Sequence, residues 1–579
     1  MKPEQGEAAP RGLPLSVEAA RESVAAGLIT AYALALRLVG AGRGLPYLHE
    51  WDEWFQVPPV IRMVLNHTLN PGIFIYGSLY YYLLLPVVYL HSLYLRALGV
   101  MKSVNDIVLM HPLVPGYGWY INFPSFYLWA RAFTALLGVA TVYLTYRLGR
   151  AAFGRTVGLL AAALLAVAPG AVYYSDTARV DVPEACLTTA ALLAGLNVIR
   201  RGRRWDYLVA GLLAGLAMST KQTAVWVVPA LVLAHTSGGR RTALIDRRLG
   251  LMFAAIVAGG LAGTPYLLIR PDLVRAGFDA QIGPYGVFSI PNPGDFLRHL
   301  GWNLGYLLRP TQGGDWYVVP HAALGLIPGA AAIAGLAVGY AHRPRVQAYL
   351  LTFPLLQLCF LARADVFYTR NLSPVLPLLA IWAALGAEWG WETLTAFAAA
   401  SARPPASWER LQQRWRSAAA AAEAAVLVIF MLGPVRESAV LAGWLYRHHD
   451  TRTQAVDWLA GHVTRGRGVA FELELAWYLP ALNHLRFRTD WTDRSTAPSW
   501  YASHHIDYAV VSEWNPIAAC PTVRFIPRPT YLPSIPEEVR FVPNSYPIID
   551  PAITIVRPAA GCASTAPVVG SAPLALLAP

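Results

Sequence analysis

The sequence predicts a polytopic α-helical membrane protein that continues into a small C-terminal α/β domain, and three observations carry that expectation. Hydrophobic residues make up 55% of the chain and charged residues only 14%, with a mean hydropathy of +0.40, far from the balance of an ordinary soluble domain. Apolar runs of about 20 residues, long enough to cross a bilayer, recur from Ala25 to the neighbourhood of Val440. Beyond Arg436 those runs give way to a mixed pattern.

Residues 1–22 read as a cytoplasmic leader, and spans are expected near 23–41, 120–147, 156–174, 183–199, 206–219, 222–236, 249–269, 319–341, 346–362, 372–388 and 420–436. The first span is expected to be retained, because its leader mixes acids with bases, its apolar stretch is long and no clean small-residue cleavage pattern follows it. Short basic segments set the orientation. With Lys2, Arg11 and Arg21 in the cytoplasm, the segments holding Arg147 to Arg155, Arg200 to Arg204, Arg240 to Arg248, His342 to Arg345 and Arg403 to Arg416 also fall inside. That parity requires residues 79–99, LYYYLLLPVVYLHSLYLRALG, not to cross. This tyrosine-rich segment therefore reads as an interfacial or re-entrant helix, with a tilted span as the alternative.

About eleven spans then make a transmembrane domain over 23–440, with long outer loops at 42–119 and 270–318 and the C-terminal domain outside. That domain covers 441–557, with a helix expected from Thr451 to Val463 and strands at 468–475, 484–489, 506–512 and 552–556. The prolines from Pro521 to Pro547 suggest an extended wrap, and 558–579 reads as a disordered tail. The net charge of +12 does not imply nucleic acid, since the bases sit between spans as topology signals do. Cys186, Cys359, Cys520 and Cys562 show no metal-ligand spacing and say little about redox compartment. No internal repeat and no phosphate-cradling glycine loop is present.

Charged motifs gather at the outer ends of the spans. The first outer loop opens with YLHEWDEWFQVPP, which holds Glu50, Asp52 and Glu53. Adjacent carboxylates near a membrane surface suit a base, because partial burial and like charge raise their proton affinity; ordinary solvated loop acids are the alternative. The third span ends in YYSDTARVDVPEA, bringing Asp176, Arg179, Asp181 and Glu184 to the same side. Charges at span ends tend to mark function, though Arg179 can simply pair with an aspartate. In LAMSTKQTAVWVV, Lys221 lies between two apolar half-segments, where an ammonium suits a lipid phosphate or snorkels to headgroups. Arg131 in LWARAFTALLG and Arg370 in FYTRNLSPVLPLLAI add further cations. The second outer loop carries Arg270, Arg275, Asp279, Gln281 and Tyr285, either as a lid or acceptor-binding segment or as a connector.

The order of these motifs, an acidic pair after the first span, then NPGIFIYGSLYYY, an Arg-led second span, RVDVP, STKQTA and a late TRNLSPVLPLL, resembles the polytopic GT-C glycosyltransferases. Within them it is most similar to the protein O-mannosyltransferase and aminoarabinose-transferase-like group, over roughly residues 20–440. The resemblance implies sugar transfer from a polyprenyl monophosphate carrier to an acceptor hydroxyl at the outer face of the plasma membrane, with inversion at the anomeric carbon. It implies further that Asp52 is the catalytic carboxylate acting as base, that Glu53 is the second member of the pair, and that Asp181 positions sugar or acceptor. Lys221, Arg131 and Arg370 become candidates for holding the donor phosphate, and Arg179, Arg275, Gln281 and Tyr285 for acceptor or lid contacts. No cofactor is required; a divalent metal gathered by Asp52, Glu53 and Asp181 stays open, without a strict ligand spacing.

The chain departs from the pattern in the insertion VMKSVNDIVLMHPLVPGYG and in the setting His49, Glu50, Trp51 of the acidic pair. The acceptor, whether protein, lipid or glycan, is therefore not specified. A transporter or flippase is the alternative function, expected to show ionisable residues deep in its spans and two-fold similarity between halves. A receptor built on the aromatic residues of the C-terminal domain, such as Trp491 and Trp500, would not need so many spans.

Overall fold

The computed structural model describes residues 15–45, 51–110, 120–238, 246–282, 292–308, 326–364, 368–401, 425, 427–436, 438–443, 446, 451–472, 475, 488–492, 496–512, 515–526 and 553–558. Among them, five helices are long and apolar enough to cross a membrane: Val17–Val39, Ser125–Ala152, Asp181–Arg200, Pro344–Ala362 and Thr369–Phe397. A bent pair, Arg155–Ala166 and Pro169–Ser175, set at 59° to each other, is a sixth when the two helices are counted as one span. The other expected spans form shorter helices, Arg204–Met218, Val227–Ser237, Arg247–Gly263 and Leu326–His342, and residues 427–436 are also helical. The segment Leu79–Ala97 is one continuous helix, yet it is not among those apolar enough to cross. It packs instead on the short helix Val57–Leu65 and on Ser125–Ala152, in a core of its own built around Tyr80, Tyr81, Val60 and Phe126.

Small residues let the spans approach closely. A side chain at Gly215 would stand 2.1 Å from the Ile256 carbonyl, so Arg204–Met218 and Arg247–Gly263 meet backbone to backbone. The bend in the third span has a local cause. Pro169 has no amide hydrogen to donate, and Ala168 before it is extended, with ψ 118°. The break leaves carbonyls at the end of Arg155–Ala166 without intrahelical donors. Arg37, fully buried in the first span, donates to the carbonyls of Leu165 at 3.1 Å and Ala166 at 3.0 Å, and to its own turn at Ala33 at 3.1 Å. A cation at a helix C-terminus is favourable, and hydrocarbon offers no water to do the same work.

The second outer loop is not one connector: it contains the helices Pro271–Ile282 and Pro293–Leu308. A two-residue ladder joins β1, Leu109–Met110, to β2, Tyr120–Ile121, inside the first loop.

The C-terminal stretch forms a five-stranded mixed sheet. Its strands are β3 (Gly468–Glu472), β4 (Arg488–Thr492), β5 (Tyr508–Ser512), β6 (Thr522–Ile526) and β7 (Ile553–Val556), in the order β4-β3-β5-β7-β6. The pairs β3–β4 and β3–β5 are parallel; β5–β7 and β7–β6 are antiparallel. Alternating residues bury both faces. Val469, Phe471 and Val510 pack under the helix Thr451–His462, while Ala470, Ala509 and Val511 pack with Tyr501 of Pro498–Ser503. The expected helix and three of the expected strands stand here, whereas β4 begins four residues later than its predicted start at 484. β6 overturns part of an expectation, since the stretch after Pro521 pairs as an edge strand before the other prolines begin. The expected disordered tail from 559 onward lies outside the described residues.

Candidate active site

Several short elements meet at one end of the bundle and bring their charged side chains together. The helix Trp51–Trp54 carries Asp52 and Glu53 at successive positions, which on a helix point in different directions. They enter two separate environments.

Glu53 is buried outright. Arg131 grips it as a fork, with Nε donating to Oε1 at 2.8 Å and Nη2 to Oε2 at 2.6 Å. Oε1 also accepts the Ala178 amide at 2.8 Å, while Arg131 Nη1 donates to the carbonyls of Ala41 at 2.9 Å and Arg43 at 2.7 Å. One ion pair thus ties the first outer loop, the end of the first span, the second span and the turn after the bent span together. Its hydrogen bonds are committed within the fold, and bidentate charge-assisted pairs of this kind are the strong ones.

Asp52 faces the other way. Its Oδ2 accepts from Arg179 Nη1 at 2.9 Å and lies 3.3 Å from Arg370 Nε. Its side chain keeps 13% exposure, against 0% for Glu53 and 2% for Asp181. Arg179 is braced by Thr177 Oγ1 at 2.8 Å and lies over the Tyr174 ring at 5.5 Å; Arg370 lies over Tyr368 at 4.1 Å. Such cation–π contacts hold the guanidinium planes without spending all their donors. The Tyr174 and Thr369 hydroxyls hydrogen-bond to each other and join the two supports.

Next to this pair lies a deeper one. Asp181 opens the helix Asp181–Arg200, where the peptide dipoles favour a carboxylate. Lys221, just before the 3-10 turn Gln222–Trp226, donates from Nζ to Asp181 Oδ1 at 2.5 Å and to Asn371 Oδ1 at 2.6 Å, and lies 3.9 Å from Glu184 Oε2. Glu184 Oε1 accepts from Thr223 Oγ1 at 2.6 Å. Asn371 directly follows Arg370 on the 3-10 turn Thr369–Val375, so the two pairs lie side by side in one network. Asp176 completes the rim, 3.7 Å from Arg43 Nε. A side chain at Gly40 would come 2.2 Å from Asp176 Oδ2, so this approach needs a residue without Cβ at the end of the first span.

Of the residues singled out in the sequence, Asp52, Asp181, Arg179, Lys221 and Arg370 lie in this network, and Glu53 with Arg131 forms a closed pair beside it. Arg275 and Gln281 are elsewhere, on the helix Pro271–Ile282, where Arg275 pairs with Asp279 at 3.7 Å. Among the described residues, no hydrogen bond or ion pair ties either to the network. Glu50 and Tyr285 lie outside the described residues. Asp52, Glu53 and Asp181 aim at separate cations, and among the described residues no three His, Cys, Asp or Glu side chains gather to hold a metal.

Three contributors were not singled out in the sequence, Arg43 beside Asp176 among them. Asn371 follows Arg370 in a motif chosen for its cation. Arg37 was a visible signal, a charge within an apolar span.

Comparison with known proteins agrees with this architecture. The family model described as dolichyl-phosphate-mannose-protein mannosyltransferase matches residues 123–262, a stretch that contains Arg131, Asp181 and Lys221. A Bacillus subtilis (strain 168) protein named "Putative mannosyltransferase YycA" is 32% identical over 128 residues, 21% of this chain. That match spans only 18% of the length of the curated relative. Among solved structures, ArnT from Cupriavidus metallidurans bound to undecaprenyl phosphate superposes with a TM-score of 0.52 at 14% identity, covering 95% of this chain and 99% of that one. The same protein in its apo state gives 0.50 at 15% identity, over 94% and 99%. The chain thus shares the fold of ArnT, a polytopic membrane architecture, and the family model falls within the stretch over which the motif order was read.

Proposed function

We propose that the chain is a membrane glycosyltransferase that moves a sugar from a polyprenyl monophosphate carrier to an acceptor hydroxyl at the extracytoplasmic face of the plasma membrane, inverting the anomeric carbon. The observation that carries this reading is the setting of Asp52, which keeps 13% exposure between two guanidinium groups while its neighbour Glu53 is shut away at 0%. Undecaprenyl phosphate on the ArnT structure and the donor named in the family description support a lipid-linked donor.

A lipid phosphate is already a usable leaving group and needs charge neutralisation more than protonation. In this reading Arg370 and Arg179 hold the phosphate. Because they are also the partners of Asp52, the arriving donor competes for them and releases lone pairs on Asp52. Asp52 then takes the proton of the acceptor hydroxyl, the acceptor oxygen attacks the anomeric carbon from the face opposite the phosphate, and the departing electron pair settles on the phosphate oxygen. Asp181, fixed by Lys221 and Asn371, positions the sugar or the acceptor.

The buried Arg131–Glu53 pair serves as a positioning device, not as phosphate ligand or base. The helix Pro271–Ile282, with Arg275 and Gln281, acts as a lid or acceptor segment. Residues 23–440 form the catalytic domain and 441–557 an outer domain, with Leu79–Ala97 in the interface. The basic segments between spans support that orientation.

The test gives the purified full chain a set of radiolabelled polyprenyl-phosphate sugars and an extract of candidate acceptors. Asp52→Asn is expected to lower transfer by about 10²–10⁴-fold, the usual worth of a general base. Equal transfer by the variant removes Asp52 from the mechanism. Absence of transfer from every donor by the unaltered chain, with donor crossing vesicles instead, replaces the transferase with a transporter.

A further inference from the structure

The C-terminal sheet carries a covalent feature that sugar transfer does not use. Cys520 is buried among Ala509, Val511 and Val556 and is disulfide-bonded. The chain has four cysteines, Cys186, Cys359, Cys520 and Cys562, and Cys186 and Cys359 are free. We infer that Cys520 is bonded to Cys562, and that this crosslink assigns the C-terminal sheet to an oxidising, extracytoplasmic compartment.

Topology brings the chain before β6 and the chain after β7 to the same end of the sheet. Thr522, at the start of β6, is the register partner of Val556, the last residue of β7. Beyond it the Arg557 amide donates to the Pro521 carbonyl at 3.1 Å, so the chain leaving β7 passes directly beside Cys520. Cys562 follows Val556 by six residues, a tether of up to about 20 Å, ample to return to Cys520. Cys186 has no such access, since it lies buried in the span Asp181–Arg200.

A crosslink here has mechanical sense. β7 has four residues and, among the described residues, is the one strand that holds β6 in the sheet. Tying the segment before β6 to the segment after β7 closes this pair against fraying. The bond forms when one cysteine thiolate attacks the disulfide of a thiol–disulfide exchange protein and the second thiolate resolves the mixed disulfide. The two cysteine thiols lose two protons, and two electrons pass to the oxidant, which leaves as its dithiol. Bonds of this kind persist outside the cytosol and are kept reduced within it. The inference is independent of both the transferase reading and the charge pattern between spans.

For the test, intact cells producing the full chain are treated with N-ethylmaleimide before lysis, and the chain is then denatured, digested and mapped with and without reductant. A peptide pair joining Cys520 to Cys562 is expected only without reductant, with Cys186 and Cys359 in no crosslinked peptide. Alkylated Cys520 without reductant, or Cys520 linked to a second chain, overturns the pairing. In the second arm, intact cells receive a membrane-impermeant reductant and then an impermeant maleimide. Labelling of Cys520 and Cys562 is expected. Labelling only after permeabilisation overturns the compartment and leaves the pairing standing. Cys520→Ser, which frees Cys562 for labelling without reductant, reports the same location if the loss of the bond loosens the sheet. Neither arm reads transfer activity, so failure here is distinct from failure of the proposed function.

Discussion

Asp52 and Glu53 are adjacent acids of one motif, and the structure predicts that they fail in different ways when neutralised. Gln is nearly isosteric with Glu. In Glu53→Gln the amide oxygen can still accept from Arg131 Nε and from the Ala178 amide, which now stand 2.8 Å from Oε1. The new NH₂ group meets Arg131 Nη2, which now donates at 2.6 Å, so donor faces donor and a buried guanidinium loses its anion. Breaking a buried ion pair from one side costs about 3–5 kcal/mol. At about 1.36 kcal/mol per decade, that is roughly 10²–10⁴ in the folding equilibrium. This loss is as large as the one expected for a missing base, so transfer alone does not separate the two residues. The discriminating measurement follows tryptophan fluorescence on heating in detergent and assays transfer per folded molecule. Glu53→Gln should lower the unfolding midpoint markedly and retain most of its per-molecule rate. Asp52→Asn, whose site is partly open to solvent, should lower the midpoint less and lose rate. If Glu53→Gln unfolds like the unaltered chain yet loses transfer as completely as Asp52→Asn, Glu53 takes part in the chemistry and the positioning role is refuted.

Lys221→Gln and Asp181→Asn should each destabilise, while the double variant recovers part of the loss, a coupling of about 0.5–3 kcal/mol in a double-mutant cycle on the same midpoint; strict additivity would show that the 2.5 Å contact carries no energy. Arg37→Met should strip donors from the Leu165 and Ala166 carbonyls, and with about 1–3 kcal/mol for each orphaned acceptor the expected loss is about 2–6 kcal/mol. Arg275→Ala, at a side chain 85% exposed, should leave stability within about 0.5 kcal/mol. Lower transfer by that variant with an unchanged midpoint would mark Pro271–Ile282 as a functional lid. Cys562→Ser should destabilise the C-terminal sheet by about 4 kcal/mol if the crosslink closes a loop of this length, read by limited proteolysis of the purified chain.

Much of this architecture was legible because lipid leaves so little choice. Long apolar runs had to become helices, and the first, second and fourth spans appear within several residues of their predicted edges. What stayed hidden depends on contacts distant in sequence. A pattern of apolar residues shows that the third span exists, but the carbonyls freed by its bend at Pro169 are met by an arginine more than a hundred residues earlier. In the candidate site, residue type and order located Asp52, Asp181, Arg179, Lys221 and Arg370. Which carboxylate stays reachable was not readable, because adjacent acids look alike until the fold turns one toward Arg131 and the other toward Arg179. For the second loop the sequence placed Arg275 and Gln281 on the outer side; that they stand on one helix, with Arg275 paired to Asp279, follows only from the fold. Strand β6 was obscured by the prolines that follow it.

The contact between Arg37 and the third span also has a consequence for biogenesis. The carbonyl that Arg37 meets at Ala166 lies 129 positions further along the chain, so the first helix reaches the bilayer well before its partner has been synthesised. During that interval its arginine, which sits in the last turn of the helix, has no helix end to dock on and can only turn toward the headgroups. The outer end of the first helix should therefore settle into its final position only when the bent segment arrives and offers its carbonyls.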